Sequence, residues 1–256
     1  MGANSGCSGW YRTTVGLAFL ILLTCCGQNG TKLKQGNLVY DAIEVFGKDS
    51  PAFRLAEAAR HGDLKEIERL VHAGADVNSV GNHDISPLWW AAFAQNYTGF
   101  KKLLESGANP NAQRQAGLSV MFLISQGKDP RFLEVALQHG GNPNLKEPDS
   151  GETPLFQAVL YRNTKQIDLL IKAGADVNAR SSISGRTLPM LAMSSANYEL
   201  VYELLQHGAD PAAKAKNGGT LADFIKLRSI NADNDDPWRK KVLEFLAQKG
   251  INVYEK

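Results

Sequence analysis

Cysteine is absent from this 256-residue chain beyond position 26, and the three it has, Cys7, Cys25 and Cys26, crowd into the N-terminus. Residues 27–256 can therefore form no internal disulfide and no thiolate metal site. Excess charge is missing as well. Lysine and arginine number 28 against 26 acidic residues, a net charge of +2, and there is no basic block or basic–aromatic stripe, which argues against a nucleic-acid partner. The chain has no His-Glu-x-x-His, no phosphate-loop glycine string and no Gly-x-Ser-x-Gly, so the marks of metalloproteases, nucleotide enzymes and serine hydrolases are missing. Of the five histidines, His139 and His207 directly precede glycines and His72 stands two before one, places where a cation suits the negative end of a helix. Asn231, Asp233 and Asp235 alternate like the first ligands of a calcium loop, but Asp236 and Val242 stand where that loop needs glycine and glutamate, and a solvated loop is expected. No catalytic residue, metal, cofactor or small-molecule substrate is expected.

Long apolar runs are rare too. Val15 to Leu23 is nearly pure hydrocarbon, follows a polar stretch containing Arg12, and gives way to polar residues after Gly27. That is the layout of a secretory signal, and it is about half the roughly 20 residues a stable membrane-spanning helix needs. The string Leu22-Leu23-Thr24-Cys25-Cys26-Gly27 resembles a bacterial lipoprotein lipobox. Two registers compete, one lipidating Cys26 with Leu23 upstream, the other lipidating Cys25 with Leu22 upstream. An ordinary cleaved signal is the alternative. The resemblance implies a signal peptide over 1–25, a linker over 26–36 and a periplasm-facing lipoprotein, anchored to a membrane of the cell envelope by its N-terminal lipid.

What is abundant is punctuation. Ala73-Gly74-Ala75-Asp76-Val77-Asn78, Ser106-Gly107-Ala108-Asn109-Pro110-Asn111, His139-Gly140-Gly141-Asn142-Pro143-Asn144, Ala173-Gly174-Ala175-Asp176-Val177-Asn178 and His207-Gly208-Ala209-Asp210-Pro211 place their first glycines 33, 33, 34 and 34 residues apart. A degenerate copy, Lys249-Gly250-Ile251-Asn252-Val253, follows after 42. Before each glycine lies an apolar pattern such as Ile167, Leu170 and Ile171, or Val201, Leu204 and Leu205, spaced for one buried helical face. The glycine then stops the helix by taking the left-handed conformation, and Asp or Asn opens a turn. Ser86-Pro87-Leu88 and Thr153-Pro154-Leu155 open helices with a hydroxyl cap and proline in the first turn.

This period and turn chemistry resemble the ankyrin-repeat family over residues 49–253. The resemblance implies an all-α solenoid of five to six helix-turn-helix units joined by projecting β-turn loops, filling 49–256. Leu38, Val39, Ala42, Ile43 and Phe46 have helical spacing, and a capping helix over 37–48 is expected to cover the first unit. Ser119-Val120-Met121-Phe122 and Thr187-Leu188-Pro189-Met190 depart from the family's Thr-Pro-Leu-His, which predicts irregular helix starts in units three and five. An insertion around Asn231–Pro237 interrupts the last unit.

Ankyrin proteins grip other proteins with the turn tips and the concave inner-helix face. Carried over position by position, the resemblance implies a protein-binding surface at His83, Ile85, Trp90 and Phe93 in unit two, Leu118 in unit three, Asp149, Glu152, Leu160 and Tyr161 in unit four, and Ile183 and Arg186 in unit five. Trp89, in the place of the family histidine, is expected to pack between units. Bacterial ankyrin proteins with such leaders look like envelope binding proteins, some of them immunity partners of toxic effectors. The expected function is an inhibitor or immunity-type partner of another protein, with an envelope scaffold or stress-protection protein as the alternative. An enzyme would need a concave cluster of perturbed acids or bases that the sequence does not display.

Overall fold

The computed structural model describes residues 32–35, 38–113, 119–229 and 236–254. Residues 1–31, with the expected signal peptide and Cys7, Cys25 and Cys26, the candidate contact Leu118 and the calcium-like string Asn231–Asp235 lie outside the described residues.

The chain enters through an antiparallel hairpin of β1 (Lys32–Gln35) and β2 (Leu38–Asp41), paired from Lys32↔Asp41 to Gln35↔Leu38. A short helix, α1 (Ala42–Phe46), follows. The capping helix expected over 37–48 is thus corrected, as is the linker expected over 26–36, part of which is β1. The reason is local. Leu38-Val39-Tyr40 has the β-branched and aromatic character of a strand, and the Asp41 carboxylate accepts the Ile43 N–H at 3.0 Å, which starts the helix only at Ala42. Gly47, with φ of 77°, ends it.

Six helix pairs then stack among the described residues. They are α2 (Pro51–His61) with α3 (Leu64–His72), α4 (Pro87–Phe93) with α5 (Tyr97–Glu105), α6 (Val120–Gln126) with α7 (Pro130–Gln138), α8 (Pro154–Leu160) with α9 (Thr164–Lys172), α10 (Leu188–Met193) with α11 (Tyr198–Gln206), and α12 (Leu221–Ser229) with α13 (Pro237–Gln248). Each inner helix packs on the inner helix of the next unit, and α2, α4, α6, α8 and α10 pack on their own outer partners, whereas α13 packs chiefly on α11. The expected solenoid is therefore what the chain forms.

One core runs the length of the stack, from Ala42 to Val253. Leu55, Leu88, Met121 and Leu155 take equivalent places in successive inner helices and are at most 1% exposed, each burial contributing about 1.5–3 kcal/mol. Small residues set the spacing. A side chain at Gly99 would put its first carbon 1.9 Å from the Ala59 carbonyl oxygen, so α5 lies directly on the backbone of α2. Between the two helices of a unit, Gly62, Gln95, Arg162 and Ala196 take the left-handed conformation in turn.

Of the two helix starts expected to be irregular, α6 is regular. Ser119 Oγ caps it by accepting the Phe122 N–H at 3.4 Å, without help from proline. Thr187 makes no such bond to α10, where leucine and proline have exchanged places as Leu188-Pro189.

Hydrogen bonds between turns set the register of the stack. In each unit the Asx side chain first folds its own turn: Asp76, Asn109, Asn142 and Asp176 accept the N–H two residues on at 2.8–2.9 Å. In these four that second residue is asparagine, and its amide reaches the next unit with both ends. Asn111 Nδ2 donates to the Gly140 carbonyl at 2.8 Å while its Oδ1 accepts the Asn142 N–H at 2.7 Å. Asn78, Asn144 and Asn178 repeat this two-ended bond. Asn111→Ala removes two hydrogen bonds between units two and three without disturbing the core. It should cost about 1–2 kcal/mol, since the freed groups are partly wet and regain water, and urea titration followed by circular dichroism would read the loss.

Candidate interaction surface

The turns before the inner helices form a second row of projections. In unit four the Glu147 N–H donates to the Glu152 carbonyl at 2.9 Å, and Glu147 Oε2 accepts from Ser150 N–H and Oγ–H. In unit five Arg180 bridges Thr187 and the Ser181 N–H donates to the Arg186 carbonyl. In unit six Lys214 bridges Thr220 and the Ala215 N–H donates to the Gly219 carbonyl at 2.8 Å. Neighbouring turns are joined edge to edge, Ser182 N–H to the Ser150 carbonyl at 2.6 Å and Lys216 N–H to the Ser184 carbonyl at 3.0 Å. The tips thus form a continuous ridge rather than independent loops.

The residues singled out from sequence fall into three groups. His83, Asp149, Leu160, Ile183 and Arg186 are exposed, Leu160 at 45% and Ile183 at 62%. Glu152 and Tyr161 are half-buried. Ile85, Trp90 and Phe93 are buried, at 0%, 0% and 5% exposed, and their assignment to a partner surface is corrected. The physical reason is α1. It stands where the first unit would carry its turn, and the second turn closes on it: Asn82 Nδ2 donates to the Glu44 carbonyl at 2.6 Å, and Gly81 approaches the Val45 carbonyl too closely for any side chain. Phe46 then meets Trp90 edge-on with ring centroids 5.7 Å apart. Phe93 stacks on Trp89 at 4.8 Å, and Trp89 is buried as expected, at 2% exposed. The concave surface is closed at its N-terminal end by the chain's own aromatic rings and open toward its C-terminal end.

That open end includes residues that reading from sequence missed. Leu227 is 69% exposed at the place in α12 that Leu160 holds in α8, and Phe224 lies half-buried on the same helix beneath Arg186, whose guanidinium is 5.4 Å from the ring centre. Lys214 and Lys216 stand exposed in the sixth turn. Counting positions forward from Thr220 as from Thr153 finds Leu227, and counting back finds Lys214 and Lys216, but the insertion after α12 hides the unit.

Behind the ridge a line of polar side chains crosses three units. Gln126 Nε2 donates to Gln157 Oε1 at 3.0 Å, and Gln157 Nε2 donates to Glu152 Oε2 at 2.8 Å. Burial pushes the Glu152 carboxyl above its ordinary range, a hydrogen bond with Ser181 draws it back, and the nearby Glu147 charge raises it again. Burial likewise pushes the Tyr161 hydroxyl up. Among the described residues no group of three or more His, Cys, Asp or Glu side chains is placed to hold a metal ion. No helix among them is long and apolar enough to cross a membrane.

A stack of paired helices with projecting turns defines the class of helical-repeat interaction scaffolds. The model for ankyrin repeats matches residues 120–215 as three copies, and a single-repeat model matches 83–115. The chain belongs to the ankyrin-repeat family, whose fold is a protein-interaction module. It is 30% identical over 116 residues to protein PhlB of Serratia liquefaciens, an alignment covering 44% of this chain and 49% of PhlB. It is also 30% identical over 135 residues to palmitoyltransferase AKR1 of Debaryomyces hansenii, covering 52% of this chain and 16% of that enzyme. The chain thus spans half or less of these relatives, and the transferase's named activity does not follow from the shared repeats. The ankyrin repeat domain of Bcl-3 superposes with a TM-score of 0.66 at 24% identity, covering 80% of this chain and 88% of that one, which shows the shared fold.

The raised Glu152 carboxyl has a consequence for stability. The folded chain favours its neutral form more than the unfolded chain does, so this contribution is full below the ordinary carboxylate range and is lost as pH climbs through the raised value. Glu152→Gln keeps an oxygen acceptor and cannot ionise. Thermal melts between about pH 4 and pH 7 should show a shallower decline for the variant than for the natural chain, and a small gain in Tm at neutral pH.

Proposed function

We propose that this protein is an inhibitor or immunity-type partner that holds another protein against its turn ridge and open concave end, at the periplasmic side of a cell-envelope membrane. One observation carries the binding part of this reading. Large apolar side chains stand 45–69% exposed, Ile183 on a ridge held in place by backbone hydrogen bonds and Leu160 and Leu227 on the inner helices α8 and α12, an arrangement that gains from being covered and has little order left to lose when it is. The relation to PhlB of Serratia liquefaciens supports a bacterial setting. The envelope address rests on the apolar run Val15–Leu23 and the paired cysteines after it, and the immunity role on the resemblance to envelope ankyrin proteins of that kind.

Deleting the gene should poison the cell only when an adjacent gene encoding a toxic protein is intact, and that toxic protein should co-purify with this chain. A stress defect that persists without the neighbour would instead favour an envelope scaffold. Mass spectrometry of the mature N-terminus should find a diacylglyceryl cysteine at Cys26 or Cys25. An unmodified new terminus after a plain signal cleavage would remove the anchor from this reading.

A further inference from the structure

The charge of the turn ridge changes sign along the stack. The fourth turn carries Glu147, Asp149 and Glu152 against one cation, Lys146. The fifth and sixth turns, which touch it and each other, carry Arg180, Arg186, Lys214 and Lys216, all exposed, and no acidic residue. None of these four cations has a carboxylate within ion-pairing distance among the described residues. Arg180 Nη1 instead donates to the Lys214 carbonyl at 3.4 Å, and Arg186 lies over the Phe224 ring. The carboxylate of Asp223, close by in sequence on α12, is engaged with the Thr220 N–H and hydroxyl at 2.8 and 2.7 Å. Four cations crowded on two adjoining turns repel one another in the free protein, a cost that an anionic partner relieves.

One apolar anchor sits at the tip of the fifth turn, and a second stands on α12 three residues beyond Phe224, the ring that Arg186 covers. Leu227 and Ile183, at 69% and 62% exposed, are the most exposed large apolar side chains described. Ile183 is at the tip of the fifth turn, three residues from Arg180 on one side and three from Arg186 on the other. Hydrocarbon flanked by unpaired cations matches a segment that alternates acidic and apolar side chains, since such a segment can pair charge and bury carbon at once. A phosphate backbone would use the cations and leave Ile183 and Leu227 in water. The closed N-terminal end directs any occupant of the groove to this end.

We infer that turns five and six are the docking edge for a protein segment rich in acidic and apolar residues. This rests on the protein-binding reading above and names the chemistry of the partner.

The test uses the full chain and fluorescence anisotropy. The probes are a labelled peptide alternating glutamate and leucine, its lysine–leucine counterpart and a single-stranded DNA of the same charge as the acidic peptide. The acidic peptide should bind and weaken as salt rises. It should lose at least about tenfold in affinity in the variant Arg180→Glu/Arg186→Glu/Lys216→Glu, and keep its affinity in a control variant, Lys65→Glu/Lys165→Glu/Lys172→Glu, that reverses exposed charges on the outer helices. All three ridge positions are exposed, and an unchanged melting profile checks that the variant folds; Ile183→Asp alone supplies a second variant with the same expected loss. No binding of the acidic peptide, equal binding of the DNA, or undiminished binding by the variants overturns the inference. Sedimentation that finds a dimer dissolved by the ridge variant reassigns the edge to a second copy and also overturns it. A cognate protein that binds the ridge variant at full strength removes this inference while leaving the protein-binding reading standing.

Discussion

One asparagine per unit, at Asn78, Asn111, Asn144 and Asn178, fixes the register on which the rest of the molecule depends. Apolar burial holds the helices together, but it is non-directional and tolerates sliding and rotation. A side-chain amide that must donate to one backbone atom and accept from another two residues on tolerates neither. Each bond is worth only about 0.5–1.5 kcal/mol, and repeated through the stack the same geometry places every turn beside the next. The ridge of projections is continuous because its foundations keep one register.

The parts of this architecture legible in the sequence are those decided locally. A glycine with positive φ after an apolar helical face announces itself, as at Gly74, Gly107, Gly140, Gly174 and Gly208, because few other residues take that conformation cheaply. A hydroxyl three residues before a backbone N–H announces a helix start equally well. Decisions made at a distance were not legible. Leu38, Val39, Ala42, Ile43 and Phe46 fit a helical period, yet strand pairing claims the first two and leaves only five residues for α1. Ile85, Trp90 and Phe93 occupy positions that are open in a generic repeat; the second turn closes on α1, which belongs to no repeat and whose Phe46 ring meets Trp90, while Phe93 is buried with Trp89 of its own helix. Leu227, Lys214 and Lys216 were hidden for the opposite reason: the step of 42 residues breaks the beat on which the other units were aligned.

Closing one end of the groove and leaving the other open gives the molecule a direction. The N-terminal end spends its large aromatic side chains on its own cohesion, through Trp89 with Phe93 and Phe46 with Trp90. The C-terminal end keeps Leu160, Ile183 and Leu227 in water. Between them, the chain from Gln126 through Gln157 to Glu152 supplies a polar floor whose hydrogen bonds are satisfied within the protein, so apolar groups at the rim are not diluted by unpaired polar ones beneath.

The amide pattern also has an end. Asp210 still folds its own turn by accepting the Ala212 N–H at 2.9 Å, but Ala212 offers a methyl group where the preceding units offer an amide. The sixth helix pair is therefore fastened by packing of α12 on α10 and of α13 on α11, by the turn contacts, and by the Arg228 guanidinium donating to the Ser194 carbonyl. In an array whose cohesion is a sum over neighbouring joints, this joint is keyed by bonds from Lys216, Arg180 and Arg228 in place of the repeated amide. The last unit therefore owes its alignment to contacts other than the amides that set the register upstream, and a change at Arg180 or Arg228 would be felt at this margin without touching that register.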